Sequence, residues 1–486
     1  MKQYPENVIG LIKLGNLTEA SMAQIENSEE ELAASGITNL EIESPGSKIV
    51  KKSKWRTLVA LSLGYFVDQG EAQAMSIFSP VLRQLWGLSI MNLSWITFVR
   101  SLLQSLSSPF WGYLADKYNR KKVLFWGTGI WGVWTIMVGL TQNFGQLLAV
   151  RVISGIGLGC LMPATFSIIA DMFPPKIRGK MLGILEAIGT LGIIIFTMVL
   201  SVLATPQGWR WGFIILGAAS VLSGLMILLF VEEPVRGAAE PEMKGQLTAK
   251  DADRYQTSVD GIKKVLAIPT IRVAILQGLA GSMPWVIMGA FFILWLVEKR
   301  GLSTQEAPLV FGAILIGMAF SAIIGGLLGD WADKKSPKYG RTIVGQVSVF
   351  SGIPLTYILL TQTADWSMLQ IALFSFFTAL FIGWPGKGSK EPMMQGVVPP
   401  ELRSTAFAAT TFIESGFAAI IALLFGFLAD KIDLQTAMLW TIPFPWLLCG
   451  LLFSGFYFTY PKDSQNLRAT MHTRAQELGI ENADED

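Results

Sequence analysis

GYLADKYNRKK, Gly112 to Lys122, lies between two long apolar runs, and a worn copy, GGLLGDWADKKSPKYGR, stands between two others at Gly325 to Arg341. Each carries a glycine, three residues, an acid and then clustered bases. Asp116 therefore matches Asp330, and a second pair of segments keeps the same order, PPKIR at Pro174 to Arg178 and PPELR at Pro399 to Arg403. Two markers, each repeated once and in the same sequence, make the chain an internal duplication of membrane-spanning units.

Composition agrees. Of the 486 residues 51% are hydrophobic and 15% charged, and a mean hydropathy of +0.47 is too apolar for a soluble domain of this length. The opening stretch carries acids throughout, among them Glu29, Glu30 and Glu31, and lacks the apolar core and small-residue cleavage site of a secretory signal. It reads as a cytosolic tail. A net charge of +2 implies no polyanion, so no nucleic acid partner is expected. Cys160 and Cys449 sit inside apolar runs and the single histidine, His472, lies near the C-terminus. No disulfide framework, zinc site or cysteine-histidine pair can be assembled, and no metal or cofactor is expected.

Twelve runs reach or approach the ~20 residues that a bilayer core requires. They fall at about 56–80, 93–115, 122–141, 146–172, 180–203, 211–231, 271–297, 307–329, 342–361, 367–397, 404–428 and 436–459. Most of the 38 lysines and arginines lie in the tails and even-numbered loops; only Arg83, Arg210, Lys299, Arg300 and Lys431 lie in odd-numbered ones. That bias predicts both termini in the cytoplasm. The polar stretch EEPVRGAAEPEMKGQLTAKDADRYQTSVDGIKK separates the sixth and seventh runs as a cytosolic linker. The expected fold is therefore an all-α integral membrane protein of twelve transmembrane helices in two pseudo-symmetric six-helix bundles. Residues 1–54 form the N-terminal tail, 55–232 the first bundle, 233–270 the linker, 271–460 the second bundle and 461–486 the C-terminal tail.

Over roughly residues 55 to 460 the chain resembles the major facilitator superfamily, whose signature between the second and third helices is GYLADKYNRKK. RVISGIGLG from Arg151, DMFPPKIRGK from Asp171 and GWRWGF from Gly208 extend the resemblance, which is nearest to the spinster-type branch. Members of that branch are similar to transporters of lysolipids and related amphiphiles. Where the branch carries an Asp-Arg pair in the first helix this chain has Asp68-Gln69, and where it carries a fourth-helix glutamate this chain has Leu158. The resemblance implies alternating access about a central cavity. It also implies a proton-transfer role for Arg151, the counterpart of the family's fourth-helix arginine. The glycine-rich, proline-containing fifth-helix run of drug/proton exchangers is absent from AIGTLGIIIF, which argues against a drug exporter.

Charges inside spans cost ~2.5–3.5 kcal/mol on insertion scales and mark functional positions by default. Asp68, about twelve residues past Arg56, lies ~18 Å along its helix, near mid-bilayer, with Glu71 one turn on. Arg100 enters to a comparable depth from the other side. An Asp68–Arg100 pair would be either functional or a buried structural pair. Glu186 and Glu414 either take up protons or pair across helix interfaces. Gly155, Gly157 and Gly159 read as close-packing positions.

Asp116 ends its helix at a negative dipole end unless a helix start or a base lies against it. Arg178 and the start of the eleventh span at Arg403 are its candidate partners, in a gating set that also holds Gly112, Arg120 and Asp330. Such a latch would close the cytoplasmic side; the other reading is a solvated basic loop. Aligning PPELR with PPKIR puts GWPGKGSKEPMMQGVV inside the tenth helix, not in a loop, which places Lys387, Lys390 and Glu391 between the breakers Pro385 and Pro392 in its cytoplasmic half. Lys387 and Lys390 would then face the cavity, with Gln69 and Trp285. A basic loop is the alternative.

These readings converge on a monomeric secondary transporter in a cell membrane, a prokaryotic inner membrane for preference. Its partners are the lipid bilayer, the proton and a small-molecule substrate, for which an organic anion or zwitterionic amphiphile fits the charges best. A ligand sensor signalling through its tails, and a carrier of drugs or sugars, are the alternatives. No constellation of nucleophile, base and metal supports an enzyme.

Overall fold

The computed structural model describes residues 45–234, 259–399 and 402–477. The N-terminal tail before residue 45, most of the linker and the last nine residues lie outside them. Every regular element among the described residues is helical. In chain order the long helices are α1 (Pro45–Trp86), α2 (Ile90–Lys117), α3 (Arg120–Leu140), α4 (Phe144–Met172), α5 (Pro175–Val202) and α6 (Trp209–Phe230). After a short helix, Val259–Ala267, come α7 (Pro269–Arg300), α8 (Glu306–Lys335), α9 (Gly340–Thr361), α10 (Met368–Gln395), α11 (Arg403–Ile432) and α12 (Leu434–Phe453). The last helix, α13 (Gly455–Glu477), carries regular structure into what the sequence marks as tail.

Local chemistry sets the helix ends. Ser89, Asn119, Asn143 and Ser367 cap α2, α3, α4 and α10 with their side-chain oxygens, Ser367 within a full capping box with Gln370. Gly301 ends α7 at φ +68°, a left-handed stop that an L side chain resists. Some helices are irregular inside. In α3 and α10 a single wide turn, Phe125–Ile130 and Pro385–Lys390, adopts π-helical spacing, and α4 breaks between Leu158 and Leu161. Such turns free backbone carbonyls and are frequent at functional sites.

Among the described residues ten helices, α3 to α12, are long and apolar enough to cross a membrane. The helices α1 and α2 fall short of that standard because Asp68, Glu71 and Arg100, with several serines and glutamines, dilute their apolar surface. Large apolar side chains are exposed around the outside, Leu229 at 69% and Leu327 at 68%, as a surface turned to lipid requires. The interior is closed by small residues. A Cβ on Gly224 would lie 2.2 Å from the Cα of Gly129, so α3 and α6 touch backbone to backbone.

Residues 55–234 and 259–477 meet mainly where α2 runs along α11 and α5 along α8. One end of the molecule carries the turns at 87–89, 203–208, 301–305 and 433, and is called here the far end; the opposite end carries the described chain ends. Several hydrogen bonds and an ion pair join the two ranges at the far end. Arg83 pairs with Glu298 at 2.5 Å, Gln305 Nε2 donates to Val202 O at 3.0 Å, and the Ile90 and Met91 N–H groups donate to Asp430 at 2.9 and 3.1 Å.

Candidate functional site

The acidic pair of α1 sits against α3, α4 and α6. Glu71, only 3% exposed, accepts a hydrogen bond from Thr135 Oγ1 at 2.7 Å. Asp68, half-buried, joins Glu71, Thr128, Thr135, Ser154 and Ser220 around a cavity of about 10 Å³. That is room for about one water. The wide turn of α3 and the break in α4 border this pocket, and Trp131 fixes their spacing by donating its ring N–H to Ile153 O at 2.8 Å. Gly157 must be glycine here, since a Cβ would stand 2.0 Å from the Trp131 ring.

Arg100 and Arg151 face elsewhere. Gly155 packs directly on the backbone of Arg100, its added Cβ 3.0 Å from Arg100 O, so α2 and α4 touch one helical turn from Arg151. Ser107 and Trp111 lock the same pair of helices by donating to Ile156 O at 2.8 and 2.6 Å. The two guanidinium groups line a cavity of about 220 Å³ between α1, α2, α4 and α7, with Gln73, Ser76, Thr97 and Trp285. Its lining contains no carboxylate. Arg151 is 1% exposed, and its Nε and Nη1, with Nε of Arg100, are buried without a hydrogen-bond partner. Among the described residues neither arginine forms an ion pair with Asp68 or Glu71, so the Asp68–Arg100 pair expected from depth alone is not made. The reason is rotational: equal depth does not put two side chains on facing sides of their helices.

The remaining sequence candidates form pairs. Gln69 donates to the Tyr65 hydroxyl at 3.2 Å and Tyr65 in turn to Glu186 at 3.4 Å, tying α1 to α5. Lys387, Lys390 and Glu391 are helical, in the wide turn of α10 and the residue after it. That turn presses on α8 through Gly388, whose added Cβ would be 2.2 Å from Gly325 O, so the glycines of the second signature copy seat α10. Lys387 pairs with Glu391 at 2.9 Å and Lys390 with Glu414 of α11, above Gly278 of α7, where a Cβ would strike both charged groups. Each of these lysines has a carboxylate partner, which the two arginines lack. Trp285 packs edge-on against Trp446, ring centroids 6.0 Å apart.

Of the gating set, Arg120 is fully buried and bonds Asp171, Ser167 Oγ at 2.9 Å, Glu233 at 2.8 Å and Pro234 O at 3.0 Å, which clamps the start of α3 to α4 and the segment after α6. Arg178 donates to Ala170 O at 2.8 Å, Asp330 pairs with Arg341 at 2.7 Å, and Arg403 is exposed at the start of α11. The Asp116 side chain lies outside the described residues. Beside Gly112 a Cβ would meet only Pro163, at 4.0 Å. At the far end a contact between the two residue ranges comes from outside the gating set. The residue responsible, Asp430, was missed; its signal was GFLADK, Gly426 to Lys431, which repeats GYLADK at the end of α11.

The chain matches the Major Facilitator Superfamily over residues 61–415. It is 26% identical to the sphingosine-1-phosphate transporter SPNS2 of Xenopus tropicalis over 442 residues, 86% of this chain and 84% of that one. Multidrug resistance protein 3 of Bacillus subtilis is 22% identical over 373 residues, 68% of this chain and 71% of its own. Among solved structures, a bacterial homologue of the human lysosomal transporter Spinster, inward-facing and unoccupied, shares the fold with a TM-score of 0.70 at 18% identity, covering 86% of this chain and 98% of that one. With its helical membrane architecture, its duplicated signature and a polar cavity between its halves, this chain belongs to the Major Facilitator Superfamily and is similar over most of its length to spinster-type transporters.

Proposed function

We propose that the protein is a secondary transporter of a small organic anion, or of an amphiphile with an anionic head, and that it works by alternating access with proton coupling. The observation that carries this reading is the cavity of about 220 Å³ lined by Arg100 and Arg151 without a carboxylate. A buried guanidinium with open donors is costly, and a carboxylate, sulfonate or phosphate satisfies it with paired, charge-assisted hydrogen bonds. Gln73, Ser76 and Thr97 supply neutral partners around it. The cavity is smaller than the ~300–1,000 Å³ of whole-ligand sites, which suits a compact solute or the head of a larger one. SPNS2, named for a phosphate-bearing amphiphile, fits that chemistry. A cationic drug does not, because the carboxylates nearby line the water-sized pocket.

In this reading α1 and α2 also cross the membrane, which gives twelve spans, with the far end outside and the described chain ends in the cytoplasm. Their polar residues are tolerated because they face cavities and not lipid. Cysteines at Gln142 and Gln362 should then react with an impermeant thiol reagent on intact cells, and cysteines at Asn119 and Lys338 only after permeabilisation. The reverse pattern would overturn the topology.

The test of function is purified protein in vesicles, screened for uptake of labelled lysolipids, carboxylates, sulfonates, sugars and cationic drugs with and without a pH gradient. Uptake of anionic compounds that an inward proton gradient increases is the expected result. Uptake restricted to neutral or cationic compounds would refute the anion assignment, and binding without flux would make the protein a sensor.

A further inference from the structure

Two chemistries meet in the cavity of about 220 Å³. From α2 and α4 come Arg100 and Arg151, the latter with Nε and Nη1 buried and unbonded. From α7, in the other half, come Trp285, Val286, Gly289, Ala290 and Phe291, none with a side-chain oxygen. This apolar wall is braced. Trp446 stands behind Trp285 at 6.0 Å between ring centroids and Phe425 behind Phe291 at 4.7 Å, while Ser76 of α1 donates its hydroxyl to Ala290 O at 3.4 Å. The hydroxyls of Ser79 and Thr97 likewise donate to backbone carbonyls, Ser76 O at 2.9 Å and Leu93 O at 3.2 Å. Hydroxyls already committed to the backbone serve a polyol poorly.

Gly289 has no structural need to be glycine. It lies inside a helix, where glycine is less stable than alanine, its backbone is not left-handed, and a Cβ would meet nothing within 4 Å. Its neighbours in α7 differ: a Cβ on Gly278 would strike Glu414 and Lys390, and one on Gly281 would stand 3.1 Å from Cys449 Sγ. What the missing side chain leaves at 289 is cavity, because Gly289 stands on its wall and any side chain there would take up its space. The volume then limits the occupant. A cavity of about 150 Å³ encloses benzene, so one of about 220 Å³ holds a single ring with an anionic group attached and little more. We propose that the substrate is a compact aromatic anion, one ring bearing a carboxylate or sulfonate, with its charge on Arg100 and Arg151 and its ring on the α7 wall, where Gly289 sets the size limit. This rests on the anion reading above and narrows it. A flat ring suits the wall better than an alkyl chain, since Trp285 and Phe291 add aromatic attraction beyond the area buried.

Calorimetric titration of the purified full chain tests this with carboxylates that differ only in body: acetate, benzoate, 2-naphthoate, octanoate and glucuronate, with benzenesulfonate as the sulfonate counterpart of benzoate. Benzoate or benzenesulfonate should bind at least about tenfold more tightly than the other four, the scale of a misfit in an apolar pocket. Gly289→Ala should weaken the ring compounds about tenfold and leave acetate unchanged, because only a ring reaches the added methyl group. Val286→Ala, which enlarges the same wall, should bring 2-naphthoate close to benzoate. Alanine is the better helix former, so Gly289→Ala is expected to fold; should it not, the Val286→Ala shift tests the same size limit alone. Equal weakening of acetate and benzoate by Gly289→Ala, or octanoate or glucuronate binding as tightly as benzoate, would overturn the proposal and leave the anion reading standing. No binding of any of the six would remove both.

Discussion

Arg151→Met is expected to raise the thermal stability of the empty protein and to weaken binding of an anionic substrate roughly a hundredfold. The two effects have one cause. The guanidinium is buried with Nε and Nη1 unbonded, so in the empty state it costs free energy that an apolar side chain of similar length does not. In the occupied state it would make charge-assisted hydrogen bonds worth about 1.5–3 kcal/mol, which corresponds to roughly ten- to a hundredfold in affinity. Arg100→Met should act in the same direction with a smaller gain in stability, because Arg100 is only half-buried. Melting curves with and without substrate, together with calorimetric titration, measure both quantities. A purely structural arginine gives the opposite signature, a destabilised empty protein that binds normally. That result would return the anion site to Lys387 and Lys390, whose ion pairs with Glu391 and Glu414 would have to open first.

The sequence disclosed architecture better than contacts, and the reason lies in what each depends on. Helix length, internal repetition and the position of PPELR depend on order along the chain, so the helical course of residues 383–395 followed from the repeat even though its prolines, glycines and charges resemble a loop. Contacts depend on how each helix is rotated. Asp68 and Arg100 occur at matching depth, yet one turns toward α3 and the other toward α7, and no spacing rule for a single helix reveals this. Lys390 was legible as a helical cation but not as a paired one, because Glu414 comes from another helix, whereas the Lys387–Glu391 pair lies at i,i+4 spacing within α10. Arg120 shows the same limit: its signature position was evident, whereas its partners Asp171 and Glu233 lie on α4 and beyond α6. Asp430 was legible in principle. Its segment lies outside the parallel repeat, which pairs α2 with α8, whereas GFLADK closes α11.

Asp68→Asn is expected to abolish accumulation driven by a pH gradient while leaving exchange at equal pH at least partly intact. Coupling requires a group that carries a proton in one orientation and releases it in the other, and an amide of the same shape cannot do so. Two acids qualify by position, and their surroundings separate them. Glu71 is fully buried and held by Thr135 at 2.7 Å, a bond that an amide oxygen at the same place would preserve, so Glu71→Gln should slow transport without uncoupling it. Asp68 lies on the wall of the same one-water cavity but is more exposed than Glu71, which leaves its carboxylate open to exchange a proton with water. Gradient-driven uptake and substrate exchange in vesicles, measured on both variants, distinguish the roles. Accumulation that survives Asp68→Asn and is lost in Glu71→Gln would transfer the coupling role to Glu71. Accumulation that survives both substitutions would remove the acidic pair from the mechanism and leave Glu186, bonded to the Tyr65 hydroxyl, and Glu414 as the carboxylates able to carry the proton.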